Sequence, residues 1–125
     1  MSPNQLTQFA QQQYLNLETY RKTGVPVATP VWFAEEHGTF YLYSLAHAGK
    51  VKRIRNNAQV RIVPCDARGH PTGEWVTAQA RILDAQGAVR GHQLLNQKYG
   101  WLKRIGDVFS RLRRRERVVI AIDLV

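Results

Sequence analysis

Lys50, Lys52, Arg53 and Arg55 place four cations within six residues, with no acidic residue among them. They lie in the run Ser44-Leu-Ala-His-Ala-Gly-Lys-Val-Lys-Arg-Ile-Arg-Asn-Asn57. Cations on the first turns after a strand make an anion site, from their own charge and from the N–H groups that a helix start leaves unpartnered. A bound phosphate is the leading expectation. Helical spacing puts Lys50, Arg53 and Asn57 on one side, and Lys52, Arg55 and Asn56 on another. Both sides cannot grip one phosphate equally, and geometry favours Lys50 and Arg53. The competing expectation is a solvated face opposite the core-like Val51, Ile54 and Ala58.

The elements that must position these cations are mostly strands. Thr39 to Leu45 reads as a strand and about Ala48 to Asn56 as a short helix. Upstream, Ser2, Pro3 and Gln5 mark a helix start, with the helix running to about Gln12. Tyr14 to Tyr20 alternates, with Tyr14, Asn16, Glu18 and Tyr20 on one face and Leu15, Leu17 and Thr19 on the other. Arg21-Lys-Thr-Gly24 is a hairpin turn, followed by a strand from Val25 to Glu35. Pro26 and Pro30 point the same way and donate no ladder hydrogen bond, which suits an edge or a strand with a ligand against it. Glu36-His-Gly38 is a turn; Gln59–Cys65, Glu74–Asp84 and Arg117–Leu124 complete about six strands. Ala88–Tyr99 and Trp101–Arg113 read as helices. Short connections make the strands antiparallel. The expected fold is mainly β: a small barrel with flanking helices, since closure removes exposed edges.

Composition narrows the function classes. The 125 residues, 44% of them hydrophobic, suit one domain with a substantial core. No apolar run reaches the roughly 18 residues of a membrane span, and no signal peptide is expected at the N-terminus. The lone Cys65 excludes an internal disulfide, fits a reducing cytoplasm and reads as a small buried residue. His37, His47, His70 and His92 are scattered, so no metal site is expected, and His47 reads as a surface-turn residue. The net charge of +9 is carried by residues 48–56 and 98–117. Arg111 to Arg117 read as a solvated helix end, with a nucleic-acid or membrane patch and a hold on an anionic cofactor tail such as polyglutamate as the alternatives. Basic and aromatic residues do not interleave on one strand face, so no nucleic acid is expected as a partner. Neither an acid–base dyad nor a nucleophile constellation stands out, and no catalytic residue is named.

Three segments together carry a family resemblance: Thr19-Tyr-Arg-Lys-Thr-Gly-Val-Pro-Val-Ala-Thr-Pro-Val-Trp-Phe33, Gly49-Lys-Val-Lys-Arg-Ile-Arg-Asn-Asn57 and Pro71-Thr-Gly-Glu-Trp-Val76. Their order and spacing resemble the pyridoxamine 5′-phosphate oxidase-like split β-barrel superfamily. More narrowly, they are similar to its F420-dependent oxidoreductase branch, over about residues 14–124. The resemblance implies a homodimer with flavin or deazaflavin sites at the interface, the cofactor being FMN or coenzyme F420. It implies hydride transfer to a small-molecule substrate, or alternatively a non-catalytic carrier of a flavin or haem-type ligand. By position, Lys50, Lys52 and Arg53 would face the phosphate, with Asn57 ending that segment and Ser44 bonding the cofactor's chain. Val27, Ala28, Thr29, Pro30 and Trp32 would underlie the ring system, and Trp75 would come from the other subunit. Relatives usually carry Thr where this chain has Glu18, which bears on the wall near the ring. Nothing resembles pyridoxal-phosphate recognition, so vitamin B6 chemistry is not expected.

Overall fold

The computed structural model describes residues 3–100 and 117–125. Helix α1 (Pro3–Thr7) is shorter than the expected run to Gln12; Ser2 lies outside the described residues. Turns follow it, with Gln11 in the left-handed region at φ 62°. They let Phe9 turn inwards, edge-on to Phe33 and Phe40 at 6.0 and 4.8 Å between ring centroids. Burying that ring outweighs another turn of a short helix.

Strands β1 (Tyr14–Tyr20) and β2 (Pro26–Trp32) form a hairpin. Gly24 closes its turn at φ 87°, donating its N–H to the Arg21 carbonyl at 2.8 Å. Glycine alone adopts that conformation without steric penalty. Strands β3 (Ala34–Glu36) and β4 (Thr39–Leu45) form a second hairpin around His37 and Gly38. Helix α2 (Gly49–Asn56), β5 (Gln59–Cys65), β6 (Val76–Leu83), helix α3 (Ala88–Tyr99) and β7 (Arg117–Leu124) follow. The expected helix at Trp101–Arg113 lies outside the described residues.

All pairings are antiparallel, in the order β2-β1-β5-β6-β7-β4-β3. The fold is mainly β, a split β-barrel. The described residues form seven strands rather than about six, because the expected strand from Val25 to Glu35 breaks at Phe33. Only Phe33 separates β2 from β3, yet they stand at opposite ends of the strand order. The sheet therefore curls until its two edges meet there, and β2 touches β4 across the split. β2 is an edge strand: Pro26, Ala28 and Pro30 are exposed, while Val27, Thr29 and Val31 are half-buried. Prolines at an edge leave no ladder donor missing inside the sheet.

The barrel is filled by inward residues such as Leu17, Phe40, Ile62 and Ile122, and Val51 and Ile54 of α2 join that cluster. Ala58, expected with that apolar set, is exposed, because the chain has left the helix by then. On the outside, Leu95 and Tyr99 of α3 pack on Ala34, Trp32, Tyr41 and Tyr43. Among the described residues, no helix is long and apolar enough to cross a membrane, and no group of three His, Cys, Asp or Glu side chains gathers to hold a metal.

α3 also ties the seam. The Tyr99 hydroxyl accepts from the Phe33 N–H at 3.1 Å, and its one proton lies between the Phe33 and Gln13 carbonyls, 2.7 Å from each. Lys98 Nζ donates to the Gln12 and Phe33 carbonyls at 2.6 and 2.8 Å and lies 3.8 Å from the centre of the Phe33 ring. Burial holds the Lys98 pKa down to about 8, from 10.5. A depressed lysine penalises the fold below its folded pKa, and the penalty fades as pH rises towards the unfolded value. The melting temperature of wild type is therefore expected to rise by a few degrees, relative to Lys98→Met, between about pH 8 and pH 10. Parallel calorimetric pH series of the two proteins check this; parallel curves would refute it.

Candidate functional site

α2 begins without a side-chain cap. Ala48 precedes it in an extended conformation, and no side chain bonds back to the first turn. The Val51 N–H already bonds the Ala48 carbonyl at 3.1 Å, so the N–H groups of Gly49 and Lys50 are the ones left to a ligand, and the helix dipole favours an anion there. Arg53 folds back over this turn. Its Nη1 lies where a Cβ on Gly49 would approach to 2.7 Å, and its Nε donates to Thr19 Oγ1 at 2.6 Å. Thr19 is 1% exposed, near the end of β1.

Lys50 is half-buried beside Arg53. Burial first, and then the Arg53 charge, holds the Lys50 pKa below its ordinary value. Among the described residues neither cation pairs with a carboxylate. Two neighbouring half-buried cations without a counter-charge are a site in which an anion relieves both desolvation and repulsion. An uncapped helix start, an unbalanced cation pair and a glycine cradle that a Cβ would fill fit a phosphate.

Gly49→Ala tests the cradle. The methyl must displace the guanidinium, a flexible end that moves cheaply, so the apoprotein melting temperature should hold or rise slightly. Phosphate-dependent ligand affinity should drop by roughly three- to tenfold, the loss of part of one charge-assisted bond. Titration calorimetry on both proteins checks it; equal affinities would place the ligand elsewhere.

The other expected residues are distributed as follows. Lys52 and Arg55 are exposed. Arg55 lines a shallow groove of about 480 Å³ with Ile54, Ile82 and Val118 on the far flank of α2. Asn57 ends the helix: its N–H donates to the Arg53 carbonyl at 2.8 Å and its Oδ1 accepts from the Gln59 N–H at 3.1 Å. Ser44, 7% exposed, donates to the Leu45 carbonyl at 3.2 Å. Val27 pairs with Thr19 in the hairpin, and the Thr19 hydroxyl is aimed at the Val27 carbonyl, 3.5 Å away. Thr19 thus connects the cation pair to the edge segment of Val27, Ala28, Thr29 and Pro30.

Trp32 and Trp75 stand apart from that group. Trp32 stacks on Tyr99 at 4.8 Å and 6°, beside the seam. Trp75 is half-buried, with the Arg61 guanidinium 4.9 Å from its ring centre. Glu18 points to the face opposite Thr19 and accepts from Arg61 Nε and Nη2 at 2.8 and 3.1 Å and from the Tyr20 hydroxyl at 2.8 Å. The Arg61 hydrogen bonds lower its pKa more than burial raises it. His47 is exposed, and Tyr41 and Tyr43 pack against α3. Arg117 lies 4.4 Å from the Tyr43 ring centre; Trp101 and residues 111–116 lie outside the described residues. Thr19 and Gly49 were not singled out from the sequence. A threonine in a strand reads as an ordinary β-former, and a glycine before a basic run reads as a turn.

The family described as pyridoxamine 5′-phosphate oxidase matches residues 1–125. None of the curated proteins matches the chain. Solved structures resemble it throughout. An FAD-binding protein from Mesorhizobium loti is 17% identical, with a TM-score of 0.68 over 100% of this chain and 91% of that one. The heme storage protein HutZ from Vibrio cholerae is 14% identical, with a TM-score of 0.68 over 99% and 89%. An F420 reductase is 19% identical, with a TM-score of 0.61 over 95% and 91%. At such identities the likeness is one of fold.

Proposed function

The chain belongs to the pyridoxamine 5′-phosphate oxidase family, and from that premise we propose that it is an oxidoreductase whose Lys50 and Arg53 hold the phosphate of a flavin-type cofactor, FMN or coenzyme F420. The observation that carries this reading is the half-buried pair itself, uncompensated by any described carboxylate at the uncapped start of α2. When bound, the cofactor supplies hydride transfer to or from a small-molecule substrate. The chain's part is to bind, orient and keep water away. Lys50 and Arg53 fix the phosphate end, with Lys52, Asn57 and Ser44 as further contacts along the cofactor's chain. The edge of β2 from Val27 to Pro30 offers a flat surface for the ring, because two of its four residues there are exposed and Pro30 has no N–H to turn outward. Trp32 would bound that surface at the seam. A second copy would close each site, bringing Trp75 across, and the working form would be a homodimer. Its lone cysteine suits a reducing cytoplasm.

Purified protein is titrated with FMN and with reduced coenzyme F420, followed by fluorescence at low and high salt, with an electron acceptor present. Binding of one with turnover supports the proposal. Binding without turnover would make the protein a carrier, and binding of neither would overturn the cofactor reading. Binding of nucleic acid alone, with steep salt dependence, would replace it altogether.

A further inference from the structure

We propose that Thr19 is a positioning residue for Arg53, setting the guanidinium over the first turn of α2 so that its two outer nitrogens meet the phosphate. The proposal rests on the reading of Lys50 and Arg53 as the phosphate grip. Arginine has five donors in a rigid fork, and Nε is the one nearest its stem. Thr19 Oγ1 takes Nε at 2.6 Å. That leaves Nη1 and Nη2 free to turn towards an anion at Gly49 and Lys50. Gly49 leaves room for the fork on the other side, since Nη1 occupies the space a Cβ would need.

Packing alone does not account for a threonine here. Thr19 is almost wholly buried, and on its strand face it follows Leu15 and Leu17, both of which are buried as well. Valine has the same branched shape, forms strands as well and buries no hydroxyl. The hydroxyl is used on both sides: it accepts from Arg53 and is aimed at the Val27 carbonyl, 3.5 Å away. Its stiff χ1 fixes where the oxygen sits. One side chain therefore sets the register between the phosphate end of the site and the β2 edge proposed to carry the ring. The sequence separation of 34 residues between Thr19 and Arg53 means that this register exists only in the folded barrel.

The test compares wild type, Thr19→Val, Thr19→Ser and Arg53→Ala for affinity towards FMN against riboflavin, and coenzyme F420 against its phosphate-free deazaflavin alcohol. Apoprotein melting temperatures are measured alongside. Thr19→Val should weaken the phosphorylated ligand roughly tenfold and leave the phosphate-free one unchanged, which is the loss of one oriented charge-assisted bond. Thr19→Ser, which keeps the oxygen, should restore the preference. If Arg53→Ala lowers the preference for phosphate and Thr19→Val does not, the positioning role is overturned and the phosphate grip stands. If Thr19→Val weakens both ligands equally and lowers the melting temperature, Thr19 is structural and the proposal is overturned. If wild type shows no preference for either phosphorylated ligand, the underlying reading fails and takes this proposal with it.

Discussion

Alanine at both Lys50 and Arg53 is expected to weaken FMN or F420 binding by about two to four orders of magnitude while the apoprotein stays folded. Each charge-assisted hydrogen bond is worth about 1.5–3 kcal/mol, so two together give about 3–6 kcal/mol. The apoprotein should not suffer equally. Burial and then its neighbour's charge both disfavour the charged form of Lys50, so removing the pair relieves a penalty. Against this stands only the lost bond from Arg53 to Thr19. A melting temperature within a few degrees of wild type is the expected outcome, with titration calorimetry reading the affinities. The same electrostatics give a pH dependence. An anion at the site raises the depressed Lys50 pKa, so binding takes up protons and affinity falls as pH rises through the depressed value. The double variant should lose that slope. A large drop in melting temperature with little change in affinity would make the cations structural.

Much of the positioning of this pair was legible in the sequence, because it is set by local spacing. The step of three from Lys50 to Arg53 separates them from Lys52 and Arg55, and the latter two are the ones left exposed. Period-two alternation marked β1, the Tyr- and Phe-rich run after Gly38 marked β4, and the turns read at Gly24 and Gly38 are the two hairpin turns, each glycine with positive φ. What was illegible depends on partners far along the chain. Val31-Trp-Phe-Ala34 is one unbroken apolar run, so nothing in it marks the break between β2 and β3. The break shows only through Tyr99, which is 66 residues away. The end of α1 is likewise set by the fit of Phe9 against Phe33 and Phe40 rather than by a stop signal. Glu18 drew notice as a departure next to the expected ring wall. Alternation along β1 already sets it on the face opposite Thr19; what the sequence did not show is its partner there, Arg61 on the neighbouring β5.

One oxygen atom at the seam should matter more than its size suggests. Tyr99→Phe keeps the ring that stacks on Trp32 and removes only the hydroxyl. The buried Phe33 N–H then loses its acceptor, while the carbonyl of the exposed Gln13 loses its donor but stays within reach of water. The Phe33 carbonyl keeps Lys98. Leaving a buried backbone donor unsatisfied costs about 1–3 kcal/mol beyond the bonds themselves. A total near 3 kcal/mol is expected, a fall of roughly 10 °C in melting temperature for a chain of this size. The hydroxyl is protonated throughout the neutral range, because burial raises its pKa, so the loss should not depend on pH there. β2 is joined to β3 through Phe33, so a loosened seam lets its edge drift away from the cation pair. Affinities for FMN and riboflavin should then fall together and modestly, unlike the phosphate-selective loss expected from Lys50 and Arg53. A melting temperature unchanged in Tyr99→Phe would mean that Phe9, Phe33 and Phe40 hold the seam by packing alone.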